Sequence, residues 1–152
     1  GEGLKIFMKA LSYARPMVGA QSVGVARGAY EEALRYAKER RQFGKPIADF
    51  QAIQFMLADM AINIEAARLL VHKAAFLLDQ GILSASSSSF AKTFAADTAM
   101  KVAADAVQIF GGYGFIREYP VEKYFRDAKI MQIYEGTNQI QRVVIAKDIL
   151  TA

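Results

Sequence analysis

Cysteine is absent from the 152 residues. That excludes a disulfide framework and cysteine-based metal sites, and it fits a reducing compartment. Histidine occurs once, as His72. A di-metal centre in a helical bundle needs Glu-x-x-His pairs on two helices, and Leu69 stands where the acid of such a pair would be, so no metal site is expected. No apolar run approaches membrane-spanning length, and no secretory signal opens the chain. Alternation of period two is lacking over any useful length, so no sheet is expected. Neither sign of charge dominates: 19 Lys and Arg face 15 Asp and Glu, a net charge of +4. This suits an anionic ligand as well as nucleic acid. The cations form no continuous stripe, which argues against a nucleic-acid binder.

What is present is helical. At 53% hydrophobic and 22% charged residues the chain is globular and long enough for one domain with a sizeable core. Its first residue, Gly1 rather than Met, points to a trimmed chain or a piece of a longer protein. Ile53, Leu57, Met60, Ile64, Ala67, Val71, Ala74 and Leu78 recur at four- and three-residue steps, the seam of a bundle helix ended by Asp79, Gln80 and Gly81. Phe55, Met56, Ile62, Leu69, Leu70, Phe76 and Leu77 fall outside that seam, which predicts a helix covered on more than one side. The first segment, from about Gly3 to Lys38, is interrupted near Ser12 to Pro16, because proline inside a helix costs roughly 3 kcal/mol. Ala20, Gly24 and Gly28 stack as a strip of small residues that lets another backbone come close. A third helix is expected from about Ser84 to Phe110, a short fourth from Pro120 to Lys129, and a last from Thr137 to about Leu150. The fold class is all-α: an antiparallel bundle of three long helices and shorter ones, with long loops at 39–46 and 111–119.

Three stretches carry candidate chemistry. Glu39 to Pro46 gathers Arg40, Arg41 and Lys45 around Phe43, which fits either a solvated turn or a nucleotide-like anion with a planar ring. Gly111-Gly112-Tyr113-Gly114 is not the dinucleotide fingerprint, since it follows a helix and Arg117 stands where the third glycine belongs. It is a helix terminator, or a place where backbone approaches a flat ligand. Tyr134 to Arg142 places Glu135 between apolar residues and a helix start. That carboxylate either interacts with the helix N-terminus or serves as a base strengthened by desolvation.

In order along the chain, Gly-Glu-Gly-Leu-Lys at the start, Ala14-Arg15-Pro16, the 39–46 loop, Gln51-Ala52-Ile53-Gln54, Asp105 to Gly114, Glu118 to Lys123, Arg126-Asp127-Ala128-Lys129 and Tyr134 to Arg142 resemble the C-terminal helical domain of the acyl-CoA dehydrogenases. The resemblance spans essentially the whole chain and about the last third of a family enzyme, whose N-terminal helical and middle β domains are not included.

The resemblance implies an FAD-dependent α,β-dehydrogenation of an acyl-CoA thioester, with Glu135 as the base that removes the α-proton while a hydride leaves the β-carbon for the flavin. The backbone N–H of Glu135 and a hydroxyl of the flavin's ribityl chain would polarise the thioester oxygen. Some family branches carry the base at or beside the position of Ala14; Tyr13, Ala14 and Arg15 are not acidic, which favours Glu135. The resemblance places Arg40, Arg41, Gln42, Phe43, Gln51, Gln108, Gly111, Gly112, Thr137 and Gln139 around FAD, the 40–43 loop reaching the cofactor of a neighbouring subunit. It places Ser12, Arg15, Tyr134 and Gly136 near the substrate, a side chain at 136 being expected to crowd the acyl group. Ser12 stands where related enzymes often carry an acid, and Phe50 where some carry His. The implied partners are an electron-transferring flavoprotein or similar acceptor and further copies of the chain, as a dimer or tetramer. An isolated, inactive assembly module is the alternative.

Overall fold

Proline inside a helix normally ends it, yet the first helix, α1 (Gly3–Glu39), runs unbroken through Pro16. The computed structural model, which describes residues 1–151, shows why. Pro16 has no N–H to offer the Ser12 carbonyl. The Ser88 hydroxyl donates to that carbonyl instead, at 2.8 Å. The expected break is thus replaced by a hydrogen bond from another helix.

Beyond α1 the chain makes a small hairpin, β1 (Arg41–Gln42) antiparallel to β2 (Lys45–Pro46). Its turn residues Phe43 (φ 51°) and Gly44 (φ 81°) are both left-handed, as a two-residue hairpin turn requires. This pairing is the one departure from a sheet-free reading, and two-residue strands are too short to show alternation. A 3₁₀ turn (Ile47–Asp49) leads into α2 (Gln51–Asp79). There the seam buries Leu57, Met60, Ile64, Ala67, Val71 and Ala74. Phe55, Ile62, Leu69 and Phe76, on another face, are 61% to 66% exposed. Within this chain α2 is therefore covered along its seam and bare along that stripe.

The serine run opens the central helix α3 (Ala85–Phe110), whose start is capped by Ser84, its Oγ accepting from the Ser87 N–H at 3.1 Å. α3 packs against α1, α2 and the two later helices, α4 (Val121–Met131) and α5 (Asn138–Thr151). Ala26, Ala29, Ala33 and Ala37 of α1 share a cluster with Ala99, Ala103 and Ala106 of α3. Small residues let the two backbones approach, while burying Met60 and Val102 contributes roughly 1.5–3 kcal/mol each. The small-residue strip does not admit another backbone as expected: a Cβ on Gly28 would lie 2.8 Å from the side-chain hydroxyl of Tyr124 in α4, and one on Gly24 would meet nothing within 4 Å. α3 stops at Gly111, and a 3₁₀ turn (Gly111–Phe115) leads toward α4. α5 starts with Thr137, whose Oγ1 accepts from the Ile140 N–H at 3.3 Å. Its buried residues are polar, Asn138 and Gln141, whereas Ile140, Val143 and Leu150 are exposed. Among the described residues no helix is long and apolar enough to cross a membrane, and no group of three or more His, Asp or Glu is placed to hold a metal ion.

Candidate functional site

Two features bring the sequence-predicted residues together. The first is a cleft of about 500 Å³ where the end of α1, the hairpin and the end of α3 meet. Tyr36 and Phe110 stack in it with ring centroids 4.0 Å apart. Arg40 lies over the Tyr113 ring at 5.4 Å, and Gln42, Gly111 and Gly112 complete the wall. A planar apolar floor edged by a guanidinium and an amide suits a flat ring joined to an anionic group. Next to the cleft, Arg41 donates to the Gly44 carbonyl (3.2 Å), and Phe43, edge-on to Phe50 at 6.1 Å, projects outward, 92% exposed. Gln51 is the exposed first residue of α2, and Gln108 is exposed near the end of α3.

The second feature is the turn between α4 and α5. Glu135 has φ 57° and Gly136 φ 91°. Positive φ in a non-glycine residue is uncommon and, where it persists, is imposed by the surroundings. Here the surroundings are polar. Gln141 Nε2 donates to the carbonyls of Glu135 (3.2 Å) and Gly136 (3.0 Å), and its Oε1 accepts from the Ser89 hydroxyl at 2.8 Å. Lys92 Nζ donates to the Gly136 carbonyl (3.0 Å) and to Asn138 Oδ1 (2.7 Å). Asn138 Nδ2 donates in turn to Asp97 Oδ1 at 2.7 Å. In a trans peptide the carbonyl and the following N–H point opposite ways. Drawing the Glu135 and Gly136 carbonyls inward therefore turns the Gly136 and Thr137 N–H groups outward. Among the described residues the N–H groups of Glu135, Gly136 and Thr137 have no backbone acceptor. Gly136 is needed for a reason the sequence did not show: a Cβ there would lie 2.8 Å from Gln141 Nε2.

The half-buried Glu135 carboxylate makes no side-chain hydrogen bond or ion pair among the described residues, and Thr137 rather than Glu135 caps α5. Cations surround it at longer range. Arg15, 2% exposed, has a pKa lowered by burial and partly restored by the Glu135 charge. Its Nε has no hydrogen-bond partner. Burial pushes the Lys92 ammonium down to about 8, opposed by Asp97, reinforced by Arg15 and opposed again by Glu135. Burial alone would raise the Asp97 pKa, but hydrogen bonds from Arg142 (2.6 Å), Gln132 (2.7 Å) and Asn138 hold it below the usual carboxylate value. Arg15 and the buried Ser12, whose hydroxyl donates to the Met8 carbonyl (3.3 Å), line a groove of about 440 Å³ with Lys5 and Lys9. Tyr134 donates its hydroxyl to Gln21 Oε1 at 2.6 Å. Gln139 is exposed in the first turn of α5.

Lys92, Asn138, Gln141 and Ser89 escaped the sequence reading. One signal was available: Lys92 falls at helical spacing between Ser88 and Ala95–Ala96 on the buried face of α3, where a charge is out of place.

Known proteins share this sequence and fold. The description "Acyl-CoA dehydrogenase, C-terminal domain" matches residues 1–150. An acyl-CoA dehydrogenase of Bacillus subtilis is 53% identical over 150 residues, covering 99% of this chain and 40% of its own. The caffeyl-CoA reductase-Etf complex subunit CarC of Acetobacterium woodii is 52% identical over 145 residues, 95% of this chain and 38% of its own. The butyryl-CoA dehydrogenase structure from Megasphaera elsdenii superposes with a TM-score of 0.98 at 51% identity, covering 99% of this chain and 39% of that one. The chain thus spans about two fifths of the length of these relatives. With fold, order of motifs and whole-chain similarity in agreement, the chain belongs to the acyl-CoA dehydrogenases, as their C-terminal helical domain.

Proposed function

We propose that this chain is the C-terminal part of an FAD-dependent enzyme that dehydrogenates an acyl-CoA thioester between Cα and Cβ, with Glu135 as the base. The N-terminal helical and middle β domains belong to the rest of that polypeptide. The observation that carries the reading is the left-handed turn, which holds a carboxylate without an internal partner beside backbone N–H groups without a backbone acceptor. The α-proton of a thioester is weakly acidic, so its removal needs a base and a donor at the thioester oxygen together. Glu135 supplies both, through its carboxylate and its own N–H. Arg15, buried with an unpartnered Nε beside Ser12, adds a donor on the substrate side, and Tyr134 and Gly136 flank the base.

The family is flavin-dependent. The residues of the α1–α3 cleft fit FAD: a stacked aromatic floor for a flat ring, Arg40 and Gln42 for its anionic portion, and bare backbone at Gly111 and Gly112. Arg41, Phe43, Gln51, Gln108, Thr137 and Gln139 complete the contacts, some toward a neighbouring subunit's cofactor. FAD, when bound, supplies the hydride acceptor. An electron-transferring flavoprotein then takes the electrons, a partner supported by the Etf complex to which the Acetobacterium relative belongs. Glu135→Gln in the full-length protein is expected to keep FAD and acyl-CoA binding but to slow dehydrogenation by about 10²- to 10⁴-fold. Near-normal turnover would remove Glu135 from the role.

A second reading rests on a different observation, the exposed stripe of Phe55, Ile62, Leu69 and Phe76. Apolar surface of that extent marks a partner surface. Taken alone, the 152-residue chain is then an inactive assembly module that forms a symmetric dimer or tetramer. Purified chain is expected to be colourless and oligomeric by light scattering; a flavin absorbance band, or a stable monomer at micromolar concentration, would count against this.

A further inference from the structure

Lys92 is fully buried in the N-terminal third of α3. Lysine is almost never found there unless its ammonium is satisfied. Its two acceptors, the Gly136 carbonyl and Asn138 Oδ1, both lie at the junction of the left-handed turn with α5. Gln141 holds the same turn from α5 and is itself held by Ser89 of α3. Outside a tight hairpin turn, a non-glycine residue at positive φ such as Glu135 persists where contacts of this kind hold it. Among the described residues the ammonium is also the one cation bonded to either left-handed residue, Glu135 or Gly136. The charged groups around it are Asp97 on α3, Arg15 on α1 and Glu135 on the turn.

We propose that Lys92 is a positioning residue of the reaction: its buried ammonium clamps the Gly136 carbonyl and the Asn138 side chain, and so aims the Glu135 carboxylate and N–H at the substrate. This rests on the reading of Glu135 as the base. Lys92 touches neither substrate nor cofactor; it acts through the backbone it fixes. A neutral side chain of the same length leaves the Gly136 carbonyl with Gln141 alone and frees the turn to relax toward ordinary φ values.

The test places Lys92→Met and Lys92→Gln in the full-length flavoenzyme. Methionine keeps the shape without a donor, whereas glutamine keeps a donor without the charge. Flavin content, KM, kcat and amide hydrogen exchange across residues 134–138 are measured together. Lys92→Met is expected to retain flavin, to hold KM within about threefold and to lower kcat about 100-fold. Exchange in the turn is expected to speed up about tenfold, the signature of easier local opening. Lys92→Gln should recover part of both losses. A kcat within about threefold of the parent, or unchanged exchange, overturns the proposal, as does a parallel loss of flavin, KM and kcat in both variants. Should Lys92→Met fail to fold, Lys92→Gln is judged by the same criteria. If the parent enzyme dehydrogenates no acyl-CoA, the reading of Glu135 fails, while the exchange comparison still decides whether Lys92 holds the turn.

Discussion

The outer face of α2 and the interface between α3 and α5 sort their residues in opposite ways. On α2, Phe55, Ile62, Leu69 and Phe76 face outward. Between α3 and α5, Ser89, Lys92, Asn138 and Gln141 are buried. Hydropathy alone would exchange the two. The difference lies in partners: each of those four buried side chains makes at least one hydrogen bond to a neighbour. An unpaired buried polar group costs free energy, whereas a paired one is close to neutral and specifies one geometry. The apolar stripe lacks a partner inside the chain and remains outside. The polar interface fixes the turn that carries Glu135, and the apolar stripe offers a surface.

That contrast is broken most severely by Asn138→Leu, which takes an acceptor from Lys92 and a donor from Asp97. Taking one acceptor from the buried Lys92 ammonium is expected to cost about 2–3 kcal/mol. The measurement is a lower urea midpoint with an unchanged slope. Gly136→Ala is expected to cost about 1–3 kcal/mol, from strain at φ 91° and contact with Gln141 Nε2. Thermal unfolding reads it, and a midpoint equal to the parent's would show that the turn is not held as described.

A third test follows pH. The folded Lys92 pKa of about 8 lies below its ordinary 10.5. Between these values the unfolded chain holds more protons than the folded one, so this lysine makes stability rise with pH across that window. Below about pH 8 both states are protonated and its contribution stays flat. Comparing unfolding midpoints of parent and Lys92→Met from pH 7 to 10.5 should show a rise in the parent that the variant lacks. The smallest effect on folding comes from the other face: Leu69→Lys should change unfolding free energy by no more than about 0.5 kcal/mol. It should nevertheless shift light scattering toward monomer, and oligomers that persist would dissociate the α2 stripe from assembly.

Legibility in the sequence followed the range of the interaction. The α2 seam, the Ser84 cap and the Gly111 stop are local patterns, and each stands where the spacing puts it. The continuity of α1 through Pro16 was not legible, because the hydroxyl that satisfies Ser12 comes from Ser88. Nor was the buried face of α5, since its polar character makes sense only opposite Ser89 and Lys92. Glu135 stood out by contrast with its neighbours, whereas the meeting of Arg40, Gln42, Gly111 and Gly112 in one cleft is a matter of tertiary packing. The clamp behind Glu135 depends on pairs more than 40 residues apart, |i−j| being 44 for Lys92 and Gly136, and the one local signal, a lysine on the buried face of α3, does not say what it holds.

The hydroxyl of Ser88 also sets an order of events. As α1 is synthesised its proline leaves the Ser12 carbonyl open, and a nascent helix would fray on the N-terminal side of that point. The residue that closes the gap arrives 76 positions later. The first turns of α1 therefore become one rod with the remainder only after α3 has docked, which makes the N-terminal end a late reporter of folding. A peptide of residues 1–39 should show by NMR two helical stretches parted near Ser12, while the whole chain shows one.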